Sequence, residues 1–383
     1  MKIALNATIA NPNQTGTGVY AANLASALMQ LDHDHEFVVY CSHDMVDWFQ
    51  DRRNGHSVSV KGIDFKSPLR RIFWEQTRLG PDLKRQRIEL LHSMAFTSPF
   101  VHTVRTVVTV HDLVFLQYPQ TLTRAKRIYY KPIFTRSLRL AERVITPSET
   151  VRKQVIETFS VPAGAVVATP LAVGSEFMNL QFDAKSQQKI AKYGVRPPYL
   201  LAVGTLEPRK NLMLLLQAYD LLRKNANLPH QLVIIGKQGW QNVQQTELAK
   251  RWRESRGIVF TGYVDQQDLP HLYARAESFL FPSLYEGFGF PLLEALAVGA
   301  PVLASDIPVH REVCGDAALF ADPHNPEEWK AGILKILSDL PMKNKLRKNG
   351  FEQVKQFSWE KTAKLTLSVY EMDYLNAAEL HKK

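Results

Sequence analysis

Cysteine is nearly absent. Cys41 and Cys314 are the only two in 383 residues, which excludes a disulfide framework and suits a reducing cytoplasm. Long apolar runs are missing as well: none approaches the roughly 20 residues of a membrane-spanning helix, so any membrane contact is expected to be peripheral. The opening Met1-Lys2-Ile3-Ala4-Leu5-Asn6 turns polar too soon for the apolar core of a secretory leader. Neither an internal repeat nor a low-complexity tract is present, which sets aside solenoids and disordered tails. Metal-ligand spacing is lacking too. Asp32-His33-Asp34 has the spelling of a D-x-D set but falls between the first helix and the second strand, so no metal or other cofactor is expected. Helix-turn-helix, RRM and finger patterns are likewise missing, and no nucleic-acid partner is expected.

What is present is length and positive charge. At 45% hydrophobic residues, a chain this long buries two cores more comfortably than one. The net charge of +10 favours an anionic partner: nucleic acid, a phospholipid surface or a phosphate-bearing small molecule. The cations cluster between Lys61 and Arg139, where Arg70, Arg71, Lys84, Arg85, Arg87, Arg124, Lys126, Arg127, Lys131 and Arg136 are interleaved with Phe73, Trp74, Tyr129 and Tyr130. Such a stretch suits an anionic membrane face, and equally a solvated helix face over an apolar core.

Short β-branched runs alternate with helical patterns throughout, which predicts an α/β fold of two doubly wound, Rossmann-like domains. Strands are expected at 2–6, 37–41, 90–92, 106–110 and 143–146 in the first half. In the second half they are expected at 199–203, 231–235, 258–260, 278–280 and 301–304. Gly174, Gly194, Pro197 and Pro198 mark the connection, and the boundary is placed near residue 190, giving domains 1–190 and 191–357. The amphipathic segment from Ser358 to about Leu380 could pack on either. Ligand sites in doubly wound sheets lie at the carboxyl ends of the strands, so a cleft between two facing domains is the expected seat of chemistry.

Tyr285-Glu286-Gly287-Phe288-Gly289-Phe290-Pro291-Leu292-Leu293-Glu294 carries the strongest signal, a strand exit opening into a helix. Pro fits the first helical positions, Gly287 and Gly289 permit close backbone approach, and free N–H groups at the helix start suit a diphosphate. Glu286 and Glu294 would repel phosphate, so sugar hydroxyls are their expected partners: the ribose diol for Glu294, a transferred sugar for Glu286. The plain alternative is a dipole-stabilising acid and a solvated loop charge. Arg209 and Lys210, in Gly204-Thr205-Leu206-Glu207-Pro208-Arg209-Lys210-Asn211, follow another strand and could neutralise a departing diphosphate, with Asn211 capping the next helix. The Gly16 and Gly18 turn after the first strand lacks the third glycine of a dinucleotide fingerprint. His111, followed by Asp112, ends a strand and could polarise a sugar hydroxyl or be a satisfied structural histidine. Gly236-Lys237-Gln238-Gly239 and Gly262-Tyr263-Val264 could line a nucleobase pocket or be plain turns.

Taken together, the E-x7-E block, the GTLEPRKN block, the Gly loop at 16–18, His111-Asp112 and VGAPVLASDIPVHREVCGDAALFADP at 298–323 resemble family 4 glycosyltransferases, notably bacterial mannosyltransferases of lipopolysaccharide O-antigen and exopolysaccharide assembly. Phe357-Ser358-Trp359-Glu360 is similar to the start of the helix, 358–383 here, that crosses back to the first domain in GT-B enzymes. The resemblance implies a retaining, metal-independent hexosyltransferase. Glu294 would bind the donor ribose, Glu286 and His111 the sugar, Arg209 and Lys210 the diphosphate, and Gly18 would sit in the cleft-side loop. The leaving diphosphate would serve as base. The expected partners are a nucleotide sugar, GDP-mannose first with UDP-glucose or dTDP-rhamnose as alternatives, and a glycan or polyprenyl-diphosphate-linked acceptor. The expected place is the cytoplasm, at the inner membrane face. The rival readings are a UDP-sugar-hydrolysing epimerase, which the paired glutamates disfavour, an NAD-dependent dehydrogenase, which the incomplete fingerprint disfavours, and a non-catalytic nucleotide-sugar or nucleic-acid binder.

Overall fold

The structure is a computed structural model that describes residues 1–12, 16–53, 57–65, 67–100, 104–119, 124–180, 184–225, 228–236, 247–254 and 257–372, without the side chains of 68, 124–130, 184–185, 225 and 248. Thr15, Lys237-Gln238-Gly239, the side chains of Arg124, Lys126, Arg127, Tyr129 and Tyr130, and the end of the C-terminal segment therefore lie outside the described residues. Two compact units are formed: Met1–Leu171 with the segment from Ser358, and Ala172–Phe357.

In the first unit a parallel sheet contains β1 (Lys2–Asn6), β2 (Glu36–Ser42), β3 (Val58–Ile63), β4 (Leu90–Ser93), β5 (Arg105–Thr109), β6 (Arg143–Thr146) and β7 (Val166–Ala168), in the order β3-β2-β1-β4-β5-β6-β7. The second holds β8 (Tyr199–Val203), β9 (Gln231–Ile235), β10 (Ile258–Gly262), β11 (Ser278–Phe281), β12 (Val302–Ser305) and β13 (Ala318–Ala321), in the order β10-β9-β8-β11-β12-β13. Each is a Rossmann-like α/β layer whose strand order reverses at a switch point, beside β1 and β4 in one and β8 and β11 in the other. Central strands such as β4, β6, β11 and β12 are buried along their whole length, as a sheet covered on both faces requires.

β3, β7 and β13 went unread in the sequence, and all three are edge strands. An edge strand pairs on one side only and keeps part of its surface open. β3 has no fully buried residue and β7 spans three residues, so their apolar signal is weak. The unit boundary also lies nearer Leu171 than the expected 190. The helix Ala184–Ala191 and the turn after it belong to the second unit, tied there by Tyr193 Oη donating to Asp268 (2.9 Å) and Lys192 Nζ to Asp265 (3.1 Å). The segment after Phe357 joins the first unit. Ser358 Oγ accepts from the Lys361 N–H at 3.1 Å to start the helix Trp359–Glu371, whose Ala363, Val369 and Tyr370 are fully buried. Among the described residues, no helix is long and apolar enough to cross a membrane.

Candidate active site

The second unit brings the E-x7-E block and the Arg-Lys pair together at its switch point, where β8 and β11 end side by side. β8 runs into Gly204, whose N–H donates to the Ile235 carbonyl at 2.9 Å. A side chain at Gly236, which leaves β9, would place its Cβ 2.0 Å from the Gly204 carbonyl oxygen, so glycine is obligatory there. The loop after β8 is fastened to the loop after β11: Leu284 N–H donates to the Arg209 carbonyl (2.8 Å) and Arg209 Nη1 to the Tyr285 carbonyl (3.2 Å). Gly289, at φ 104°, then turns the chain into the helix Phe290–Ala297, with Pro291 in its first turn.

These loops form an ion cluster. Lys210 Nζ lies 2.6 Å from Glu286 Oε1 and Arg209 Nη1 lies 3.0 Å from Glu286 Oε2, while Arg209 Nε also meets Glu207 at 3.1 Å. Glu286 is buried. Burial alone would raise its carboxyl, but the Lys210 and Arg209 charges outweigh it and hold the group at about 2. Glu286 thus faces both cations, a pairing beyond the sugar hydroxyls expected of it. Asn211 spends its side-chain amide on the Pro323 carbonyl at 2.7 Å, tying this loop to the segment that follows β13.

Glu294 sits in the first turns of Phe290–Ala297 and accepts from Tyr273 Oη at 2.8 Å. Burial pushes its carboxyl up to about 7, the Tyr273 hydrogen bond opposes this, and Glu176 adds repulsion. Gly287 and Phe288 are buried in the connecting loop, and Phe288 packs edge-on against Phe290. Gly262, at φ 72°, precedes the half-exposed Tyr263 and the buried Val264 at the end of β10.

Sequence reasoning missed Glu207, Tyr273 and His310. The last is buried in the helix Pro308–Cys314, with Nδ1 donating to the Ser305 carbonyl at 2.9 Å and its ring 5.1 Å from Phe281. Lys210 Nζ lies 5.0 Å from the same Phe281 ring. Burial lowers the imidazole to about 4, so it is neutral. Its only sequence signal was membership in the 298–323 block; Tyr273, on a separate helix, had none.

His111, Gly16 and Gly18 belong to the first unit. His111 Nε2 donates to the Met94 carbonyl at 2.9 Å, and burial brings the ring down to about 4, so it is a neutral imidazole of fixed tautomer. Tyr20, two residues beyond Gly18, meets it edge-on with centroids 4.7 Å apart. Gly16 takes φ 59° as the helix Thr17–Gln30 begins, and the Gly18 carbonyl accepts from Asn11 N–H at 3.1 Å. Asp112 Oδ1 accepts from the Val114 N–H at 3.0 Å, closing a local turn.

Two family models match the chain: Glycosyltransferase Family 4 over residues 15–176 and Glycosyl transferases group 1 over residues 183–353. The O-antigen chain mannosyltransferase B of Escherichia coli is 36% identical over 269 residues, which cover 70% of each chain. The chain belongs to glycosyltransferase family 4. The O-antigen chain mannosyltransferase RfbU of Salmonella typhimurium is 25% identical over 361 residues, 90% of this glycosyltransferase and 95% of the relative. Among solved structures, HepE of Anabaena in complex with UDP-glucose is similar with a TM-score of 0.72 at 15% identity, covering 97% of this chain and 99% of that one. WaaG, a glycosyltransferase involved in lipopolysaccharide biosynthesis, gives 0.69 at 15% identity over 100% of both chains. At such identities the likeness shows the fold, the GT-B α/β architecture. In this glycosyltransferase the group 1 match contains Arg209, Lys210, Glu286 and Glu294, and the family 4 match contains Gly16, Gly18 and His111.

Proposed function

We propose that this glycosyltransferase is a retaining mannosyltransferase that takes mannose from GDP-mannose, needs no metal, and serves a glycan or polyprenyl-diphosphate-linked acceptor at the inner membrane face. The observation that carries the reading is the Arg209–Glu286–Lys210 cluster, built around a buried carboxylate at a switch point, next to a helix N-terminus. Two cations fixed there meet the charge that grows on a departing diphosphate, which is where positioned charge lowers a barrier. The mannosyltransferase relatives support the sugar.

In the proposed reaction the donor diphosphate competes with Glu286 for Arg209 and Lys210. Released from them, the carboxylate accepts hydrogen bonds from the sugar. Glu294 accepts from the ribose hydroxyls, Tyr263 lies against the base, and Gly236, Gly287 and Gly289 leave room for the nucleotide. As the bond from C1 to the diphosphate oxygen breaks, its electron pair leaves with the diphosphate. The acceptor oxygen bonds to C1 from the same face and gives its proton to the departing phosphate oxygen. His111, neutral and fixed by Met94, orients a sugar hydroxyl through its other ring nitrogen.

The test incubates GDP-mannose, UDP-glucose and dTDP-rhamnose separately with the protein in chelator, reading nucleoside diphosphate release and donor-induced thermal shift. Release and a shift with GDP-mannose, both lost in Glu294→Ala, are expected, and Lys210→Ala should keep the fold while transfer falls about 1000-fold. A shift with UDP-glucose alone would reassign the donor. Full activity in both variants would overturn the site.

A further inference from the structure

Four exposed large apolar side chains of the first unit gather on one cationic face. Leu69 and Phe73 are one turn apart in the helix Pro68–Trp74, 78% and 67% exposed. Residue 76 continues their face: Gln76 donates to the Ser98 carbonyl at 3.2 Å and accepts from the Phe100 N–H at 3.0 Å. Phe100 in turn is bound by Arg136, whose Nη2 donates to its carbonyl at 3.2 Å and whose guanidinium stands 5.5 Å from its ring. Arg136 and the exposed Leu140 are one turn apart in the helix Arg124–Leu140. One connected stripe of Leu69, Phe73, Phe100 and Leu140 thus faces outward.

The two helices that carry most of it, Pro68–Trp74 and Arg124–Leu140, contain cations and no acid. Arg70, Lys131, Arg136 and Arg139 are exposed. Arg71 is not among them, since it turns inward to Glu75 at 3.1 Å, and Trp74 packs on Tyr40 and Phe65. Of the acids close by in the chain, Glu75 is engaged by Arg71 and Asp82 by Lys61 and Arg85, while Asp64 is exposed. Apolar side chains this exposed, ringed by cations, match a surface with an apolar interior beneath a layer of negative charge.

We propose that Leu69 and Phe73, with Phe100 and Leu140 beside them, insert into the headgroup layer of an anionic bilayer while Arg70, Arg136 and Arg139 meet its phosphates. This deepens the membrane-face reading above and rests on it. It narrows the broad basic stretch from Lys61 to Arg139 to one face, and it excludes Arg71 and Trp74 from contact.

Flotation with vesicles of phosphatidylglycerol and phosphatidylcholine, against phosphatidylcholine alone, tests it. The protein is expected to float with the anionic vesicles only, and less in high salt. Leu69→Ser with Phe73→Ser should lower partitioning on the order of tenfold or more, and Arg70→Gln or Arg139→Gln about fivefold each. All three variants should keep the wild-type melting temperature and the donor-induced thermal shift, so loss of membrane contact is read apart from any failure of the donor site. Wild-type protein that stays in solution would overturn the proposal. So would a Leu69→Ser, Phe73→Ser variant that floats as well as wild type, or a wild-type dimer in sedimentation that this double variant splits, since the face would then be an interface between copies.

Discussion

Glu286 and Glu294 stand on one loop and the helix it opens, yet their surroundings drive them apart. Both lose solvation, which raises a carboxyl; only Glu286 gains two cations, which bring it to about 2, while Glu294 rises to about 7. The signs for stability follow. Glu286 contributes stability above the ordinary carboxylate range, near pH 4.5, and loses it as pH falls toward 2. Glu294 binds its proton more tightly folded than unfolded, so it costs stability increasingly as pH rises from about 4.5 to 7. Glu294→Gln should therefore raise the melting temperature by about 3 °C at pH 8 and leave it nearly unchanged at pH 4.5; equal effects at both would refute the assignment. Glu286→Gln removes the shared partner of two partly buried cations and should cost about 3 kcal/mol in urea unfolding at pH 7. GDP should raise the melting temperature of that variant more than that of wild type, because its phosphates replace the missing charge.

At the scale of elements, the site depends on the loops after β8 and β11 passing within backbone contact of each other. Gly236 is the tightest point. Its hypothetical Cβ meets a carbonyl oxygen at 2.0 Å, and backbone does not yield as a flexible side chain does. Gly236→Ala should cost about 2 kcal/mol or more and displace the Gly204 loop with Arg209 and Lys210. Transfer should then fall further than the loss of folded protein explains, measured as kcat per folded molecule. A variant that loses stability alone would mean the loop does not transmit the shift. The helix Phe290–Ala297 illustrates the same dependence: its sequence supplies Pro291 and Gly289, but the position of Glu294 is set by Tyr273 on the helix Leu269–Arg275.

For the molecule as a whole, the last described helix completes the first unit. His92, fully buried in β4, bonds Tyr370 Oη at 2.6 Å through Nδ1 and Thr109 Oγ1 at 2.8 Å through Nε2, and Tyr20 Oη reaches the same Thr109 at 2.9 Å. Ending the chain after Phe357 would strip Ala363, Val369 and Tyr370 from this core and leave His92 Nδ1 without its partner. Limited proteolysis should then cut within residues 1–171 much faster, while the second unit keeps its resistance and its GDP-induced thermal shift. Loss of protection in both would mean that the two units do not unfold separately.

The sequence by itself determined the α/β class, the central strands to within a residue or two, and the two halves of the Arg209–Lys210–Glu286 cluster. Hydrophobic runs mark strands buried on both faces, and a glycine, a cation pair or a carboxylate at a strand exit is legible because its neighbours in the chain are its neighbours in space. The tertiary structure decided the rest. The edge strand β3, with Ser59, Lys61 and Gly62 among its residues, exists because a sheet recruits it, while β7 and β13 are apolar but only three and four residues long. The pairing of Glu286 with Lys210, the grip of Tyr273 on Glu294 and the arrival of His310 beside Phe281 join residues far apart along the chain. No local spacing encodes such contacts; they arise when parallel strands bring distant exits to one edge, where burial and charge then set which carboxylate is ionised.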